Sequence, residues 1–108
     1  MQDKTLYSLH ANICKALANS IRIEIIDLLN DRELSFRELQ QVTGTLKSNL
    51  SQHLSLMVGS GILVQRKEGL NAYYKLATPK IGTACNLMRE VLIENLKRHN
   101  DFLKNLEK

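Results

Sequence analysis

Two groups of residues in this 108-residue chain carry side chains able to do chemistry. The first is a sparse set of soft or titratable donors: Cys14, Cys85, His10, His53 and His99. His10 and Cys14 stand four apart, so a helix makes them surface neighbours. Cys85 and His99 lie about 21 Å apart along a helix rising 1.5 Å per residue, too far to share a ligand. If the segments bearing Cys14 and Cys85 pack together, the two thiols admit a dithiol–disulfide switch or a soft-metal thiolate site assisted by His10. They also admit a plain structural reading, because free cysteine often serves as a small apolar filler. The second group lies in TLKSNLSQHLSLM, residues 45–57. There Lys47, Ser48, Asn49, Ser51, Gln52 and Ser55 form a run of short hydrogen-bonding groups led by one cation. Glu and Lys would build a better solvated helix face than Ser and Asn do. Neutral donors and acceptors of this kind suit the base edges of a DNA major groove, where Asn or Gln pairs bidentately with adenine.

The elements that must position these groups follow from periodicity. Within 45–58, Leu46, Leu50, Leu54, Met57 and Val58 fall within about 80° on a wheel of roughly 100° per residue. A helix here is expected to bury them and to turn Ser48, Gln52 and Ser55 outward, flanked by Asn49 and Ser51. Lys47 then sits in the first turn, placed for phosphate or guanine. His53 falls near the buried side, as a packed, hydrogen-bonded residue that steadies the helix, and Leu56 falls on its outer half. Upstream, Leu6, Leu9, His10, Ile13 and Leu17 share one face of a first helix over 5–17. Ser20 is the expected N-cap of a second, IRIEIIDLLN, which has almost no polar face and is therefore central. Ser35 with Glu38 makes a capping box, and Gly44 suits a helix end. Between them runs a short third helix with Phe36, Leu39 and Val42 inward.

After Gly59-Ser60-Gly61 the period changes to that of strands. Segments 62–67 and 72–77 read as a hairpin joined through Glu68-Gly69-Leu70-Asn71, with Asn71 at the tip. Arg66 and Lys67 before the turn, and Lys75 on the return, can meet phosphates and supply affinity with little sequence information. Pro79 opens a long last helix over 79–106, where its missing N–H costs little. Its stripe of Ile81, Cys85, Met88, Leu92, Leu96, His99, Leu103 and Leu106 exceeds what so small a domain can cover. A helix from a second copy is the expected cover.

Composition is that of one globular domain, residues 1–108, with 44% hydrophobic and 24% charged residues. The net charge of +4 favours polyanions moderately. No apolar run is long enough to span a membrane, and MQDKTLYSL at the start has no secretory pattern, so the cytoplasm is the expected compartment. Two cysteines are too few for a disulfide scaffold or a zinc ribbon. A Gly-rich phosphate loop, clustered carboxylates, a nucleophile–base set and a CxxC pair are all lacking, so no enzyme is expected.

Helix–turn–helix over 35–60 followed by a basic hairpin wing over 62–77 describes a mainly α winged helix-turn-helix with a small β-hairpin. KALANSIRIEIIDLL, SFRELQQVTG, KSNLSQHLSLMVGSGIL and RKEGLNAYYKL, read in order, resemble successive blocks of the ArsR/SmtB-type (arsenic-repressor-like) transcriptional regulators. The resemblance runs over residues 13–76. It implies a homodimer, joined mainly through the first and last helices (5–17 and 79–106), that represses an operon by binding an imperfect palindrome in double-stranded DNA. Ligand binding then usually releases the DNA. It also implies DNA contacts at Ser48, Asn49, Ser51 and Gln52, and wing contacts at Arg66 and Lys67.

The chain departs from the family at its usual sensing sites. Leu39-Gln40-Gln41-Val42 stands where a thiolate site would place two cysteines. Asn86, Glu90, Glu94, His99 and Asp101 on the last helix lack the DxH opening and HxxE close of its second metal site. The sulfur-responsive pattern needs a cysteine in the second helix, and IRIEIIDLLN has none. No standard metal site and no resident cofactor are therefore expected, a soft metal at Cys14 and Cys85 excepted. The competing function is a protein–protein interaction module on the same scaffold.

Overall fold

Three helices of this chain begin where a side chain takes up free N–H groups of the first turn: Asn19, Ser35 and Thr78 are the capping residues. The computed structural model describes residues 4–107. Residues 1–3 and 108, which the expected 1–108 domain and the reading of the chain's start include, lie outside the described residues. Helix α1 spans Lys4–Leu17 and α2 spans Ser20–Leu28. The cap of α2 is Asn19, not Ser20: its Oδ1 accepts from the N–H groups of Ile21 at 2.9 Å and Arg22 at 3.2 Å. The longer amide of Asn19 reaches two donors from an extended backbone, which leaves Ser20 as the first helical residue.

Helix α3, Phe36–Thr43, carries the expected capping box. The Glu38 N–H donates to Ser35 Oγ at 3.1 Å, and the Ser35 N–H donates to Glu38 Oε1 at 3.0 Å. Gly44 ends the helix at φ 67°, in the left-handed region where a side chain is strained. Helix α4 spans Lys47–Gly59, and α5 spans Pro79–Leu106 with Thr78 as its cap.

Three antiparallel strands complete the chain: β1 Leu34–Ser35, β2 Leu63–Glu68 and β3 Asn71–Leu76, in the order β1-β3-β2. The hairpin pairs Glu68 with Asn71, so its turn is Gly69-Leu70 alone. Gly69 takes φ 63° at the first central position, as a type II′ turn requires. Asn71 is therefore not the tip residue but the first of β3, and fully exposed Leu70 stands at the tip. The extra strand β1 was not expected, because two residues cannot display an alternating pattern. It forms only by pairing Leu34 with Tyr74 and Ser35 with Tyr73. Ser35 thus ends a strand and caps α3, which ties the wing to the helix-turn-helix.

The core gathers Ile25, Ile26 and Leu29 around α2 with Leu39, Leu50, Leu54, Met57, Ile62, Leu63 and Tyr74. Two residues expected inward are not. Val42 is 56% exposed because it lies in the last turn of α3, three residues beyond the buried Leu39. Leu46 is 70% exposed because it is the N-cap of α4, with ψ 144°, so helical spacing does not apply to it.

Helix α5 packs on α2 and β3 through its first turns, with Ile81 and Cys85 against the core. At the crossing, a Cβ added to Gly82 would meet Asn30 Oδ1 at 2.8 Å, so the glycine permits the close approach. Beyond this, Met88, Leu92, Leu96, Phe102, Leu103 and Leu106 are exposed, as are Leu6, Leu9 and Ile13 on α1. The radius of gyration is 17.3 Å, where a compact domain of this length would have about 13 Å. The exposed surface is 8092 Å², against roughly 6,100 Å² for a folded monomer of this mass. The described chain is thus extended along α5, with an apolar face uncovered.

Loss of the capping box should cost about 1 kcal/mol in Ser35→Ala. Val42→Ala, at an exposed position, should stay within about 0.5 kcal/mol of the parent. Urea unfolding of both variants checks the pair.

Candidate nucleic-acid interface

The outward face of α4 is built from behind. Leu50, Leu54 and Met57 are buried at i, i+4 and i+7, which fixes the rotation of the helix about its axis. Lys47, Ser48, Asn49, Ser51, Gln52 and Ser55 are all exposed as a consequence. Their side chains make no hydrogen bond within the protein among the contacts described, so their donors and acceptors are open to a partner. Lys47 is the first helical residue, beside N–H groups that an anion can use.

His53 lies half-buried on the flank of the same helix, as its wheel position suggested. Its Nδ1 sits 3.2 Å from Arg22 Nη1 on α2. Arg22 has only donors, so Nδ1 is the acceptor and the ring is neutral with its proton on Nε2. Burial pushes the His53 pKa below the usual imidazole value, and the Arg22 charge pushes the same way. Arg22 also donates from Nε to the Ala16 carbonyl at 2.7 Å and from Nη2 to the Lys15 carbonyl at 3.4 Å.

The wing divides its cations. Arg66 lies opposite Tyr73 in the β2–β3 register, and its guanidinium sits 4.5 Å over the Tyr73 ring. It also pairs with Glu33 at 2.7 Å and Glu68 at 2.6 Å. Lys67 points to the other side of the strand, is exposed, and has no ion pair among the described residues. Lys75 stands at the base of the wing, where its field acts on Glu33. Asn71 is exposed beside the tip. The Arg66 hydrogen bond, more than any other contact, holds the Glu33 carboxyl below the usual carboxylate range.

The two thiols are both free, Cys14 exposed on α1 and Cys85 half-buried on α5. Cys85 lines a narrow cleft between α2 and α5 with Ile26, Asp27, Asn30, Gly82 and Arg89. Burial pushes its thiol pKa up, which lowers its thiolate fraction, although Arg89 pulls the other way. His10 is exposed on α1 with Cys14. Among the described residues no group of three or more His, Cys, Asp or Glu could hold a metal ion.

Sequence reasoning did not reach Arg22 or Glu33. Arg22 meets His53 31 residues away and Glu33 meets Arg66 33 residues away, and no local pattern signals such contacts.

A surface-presented polar helix, braced by a three-helix core and flanked by a hairpin wing, defines a winged helix-turn-helix of the DNA-binding class. The pattern of the family described as "Bacterial regulatory protein, arsR family" matches residues 19–64. The chain is 35% identical to an HTH-type transcriptional regulator of Mycobacterium tuberculosis over 98% of this chain and 94% of that protein. Two other relatives differ in sign. The transcriptional activator HlyU of Vibrio cholerae is 33% identical over 73% of each chain. The biofilm growth-associated repressor of Xylella fastidiosa is 28% identical over 82% of this chain and 77% of that one. The solution structure of a homodimeric winged helix-turn-helix DNA-binding domain from Mycobacterium bovis superposes with a TM-score of 0.79. It is 29% identical and covers 88% of both chains. This chain belongs to the arsR family: it is a DNA-binding transcriptional regulator, and the family is not one of enzymes. No described helix is long and apolar enough to cross a membrane.

The Glu33–Arg66 pair predicts a titration. The Glu33 carboxyl should titrate below the usual carboxylate range, and Arg66→Ala should return it upward. Because the folded pKa is depressed, the pair's contribution is present above the unfolded carboxylate pKa and is lost as pH falls through the folded one. NMR titration of side-chain carboxyl shifts measures both; an unchanged Glu33 midpoint in Arg66→Ala would count against the pairing.

Proposed function

We propose that the protein is a cytoplasmic homodimeric repressor that reads an imperfect palindrome in double-stranded DNA and releases it on effector binding. The observation that carries the reading is the face of α4. Ser48, Asn49, Ser51 and Gln52 are exposed and unengaged, while Leu50, Leu54 and Met57 hold the helix from behind. In this reading Lys47 meets phosphate or guanine, Asn49 and Gln52 read bases, and Ser48, Ser51 and Ser55 accept or donate at base edges and phosphates. Lys67 and Asn71 at the wing contact the backbone. Arg66 adds to this only as far as Glu33 and Glu68 leave its charge free, so Lys67 is the stronger wing contact.

The exposed apolar faces of α1 and α5 support a dimer through the helices at 5–17 and 79–106, with the whole of 1–108 acting as one unit. A two-fold dimer presents two copies of α4 to half-sites about 34–36 Å apart, which is why the operator is palindromic. The relatives include an activator and a repressor; in this reading the dimer represses by occupying its operator.

The effector enters through the α1 and α5 region. Exposed Cys14, with His10 beside it, is the thiol open to a redox, reactive-sulfur or soft-metal input, and Cys85 in its cleft is the better candidate for a structural filler.

Base contacts and phosphate contacts predict different losses. Gln52→Ala and Asn49→Ala should each reduce discrimination between operator and random DNA about tenfold to a hundredfold, leaving non-specific affinity nearly unchanged. Lys67→Ala should weaken both and lower the slope of log affinity against log salt by about 1. Sequence selection from random DNA, then anisotropy titrations at several salt concentrations, provides the measurement. A selection returning no enriched motif would point instead to a protein-binding module. Operator binding by Cys14→Ser and Cys85→Ser under reducing, oxidising and metal-loaded conditions tests the input, and identical binding throughout would discard both thiols.

A further inference from the structure

One guanidinium in this fold touches three helices. Arg22 stands in the first turn of α2. Its Nε and Nη2 donate to the carbonyls of Ala16 and Lys15, which lie in the last turn of α1 and lack α-helical donors there. A cation at the C-terminal end of a helix is also favoured by the helix dipole. The remaining contact runs from Nη1 to His53 Nδ1, on α4 and next in sequence to Gln52. α1 contributes one buried residue, Ala16, which lies at this junction, and its outer turns carry the exposed Leu6, Leu9 and Ile13. The guanidinium is rigid and planar, so moving the end of α1 moves the donor that His53 accepts from.

We propose that Arg22 is a positioning residue for DNA recognition, linking the end of α1 to His53 so that the seat of α1 sets the angle at which α4 presents Asn49 and Gln52. The proposal rests on the reading of α4 as the DNA-contacting helix. It goes beyond that reading by naming the connection through which packing on α1, at a site remote from DNA, acts on the reading face. Arg22 need not touch DNA; it acts through His53.

Geometry makes this link sensitive to protonation. Elements α2 and β2 both pack against α4, and their charged side chains are Arg22, Glu24 and Asp27 on α2 and Arg66, Lys67 and Glu68 on β2. Among these, Arg22 is the one whose charge acts on the ring. Neutral His53 accepts the Arg22 N–H; protonated His53 has no lone pair to offer and sets a second cation against the first. The His53 pKa is already held below its usual value. The link is therefore intact at neutral pH and is lost as pH falls through that depressed value.

The test compares operator affinity, by fluorescence anisotropy between pH 5 and 8, for the full-length dimer and three variants. Arg22→Gln removes the charge and two of the three donors. His53→Leu keeps bulk but offers no acceptor. His53→Asn keeps an acceptor oxygen near the position of Nδ1 and does not titrate. Thermal melts and sedimentation confirm folding and dimerisation. Arg22→Gln and His53→Leu should each bind operator roughly tenfold or more weakly at neutral pH, with the dimer intact. The parent should lose affinity at acid pH, while His53→Asn binds well and loses much less, although it retains His10 and His99. Wild-type affinity in His53→Leu, or the same acid loss in His53→Asn as in the parent, would overturn the proposal even if Arg22→Gln failed to fold. Gln52→Ala separates the two readings: if it erodes discrimination while both His53 variants behave as the parent, α4 reads DNA and only the link is wrong. If the parent shows no operator preference, both fall.

Discussion

Everything functional in this molecule depends on the insertion of Leu50, Leu54 and Met57 into the core. Each is essentially free of solvent, and burying such a side chain contributes about 1.5–3 kcal/mol. Together they lock the rotation of α4, and a helix locked on one face has no freedom left on the other. Ser48, Asn49, Ser51 and Gln52 face outward because those three cannot. The cost is accepted locally: Ser and Asn are weak helix formers, and Leu46 provides no side-chain cap. Packing from below, not propensity, makes this segment helical, and that leaves its outer face free to be selected for recognition.

The same core decides how charge is used around it. A net charge of +4 is modest, and position matters more than the total. Arg66 stacks on Tyr73 and pairs with Glu33 and Glu68, so its guanidinium stiffens the wing against β1 and the loop before it. Lys67, one residue on, points to the other face of the strand and keeps its charge available. Two adjacent cations thus do different work because a strand turns successive side chains to opposite sides. Arg22 follows a similar logic inside the helical layer, where its donors meet α1 carbonyls and His53 instead of solvent.

The apolar faces of α1 and α5 are the other half of the design. A radius of gyration of 17.3 Å for 108 residues leaves too much apolar surface in water for a lone chain. In the proposed dimer a symmetric second copy covers it and doubles the number of α4 helices. In the proposed dimer, association and DNA recognition use separate surfaces, joined through α2 and through β3 and the wing. Helix α2 lies between α1, α4 and α5, and Arg22 at its start is the α2 side chain that contacts both the end of α1 and His53 on α4.

Much of this was legible in the residues themselves. The capping box at Ser35 and Glu38, the left-handed Gly44, the extent of α5 at 79–106 and the outward set on α4 all follow from spacings of three and four residues. Such contacts form within one helix, and helix geometry is the same wherever it occurs, so the sequence by itself determines them. Other features waited for the tertiary structure. Strand β1 exists only because β3 pairs with it, Val42 and Leu46 are exposed by where α3 ends and α4 begins, and Asn71 left the tip because a two-residue turn set the register. His53 lies 31 residues from Arg22, and Glu33 lies 33 residues from Arg66. Contacts at that range depend on the angles at which whole elements dock, and no periodicity along the chain encodes those angles.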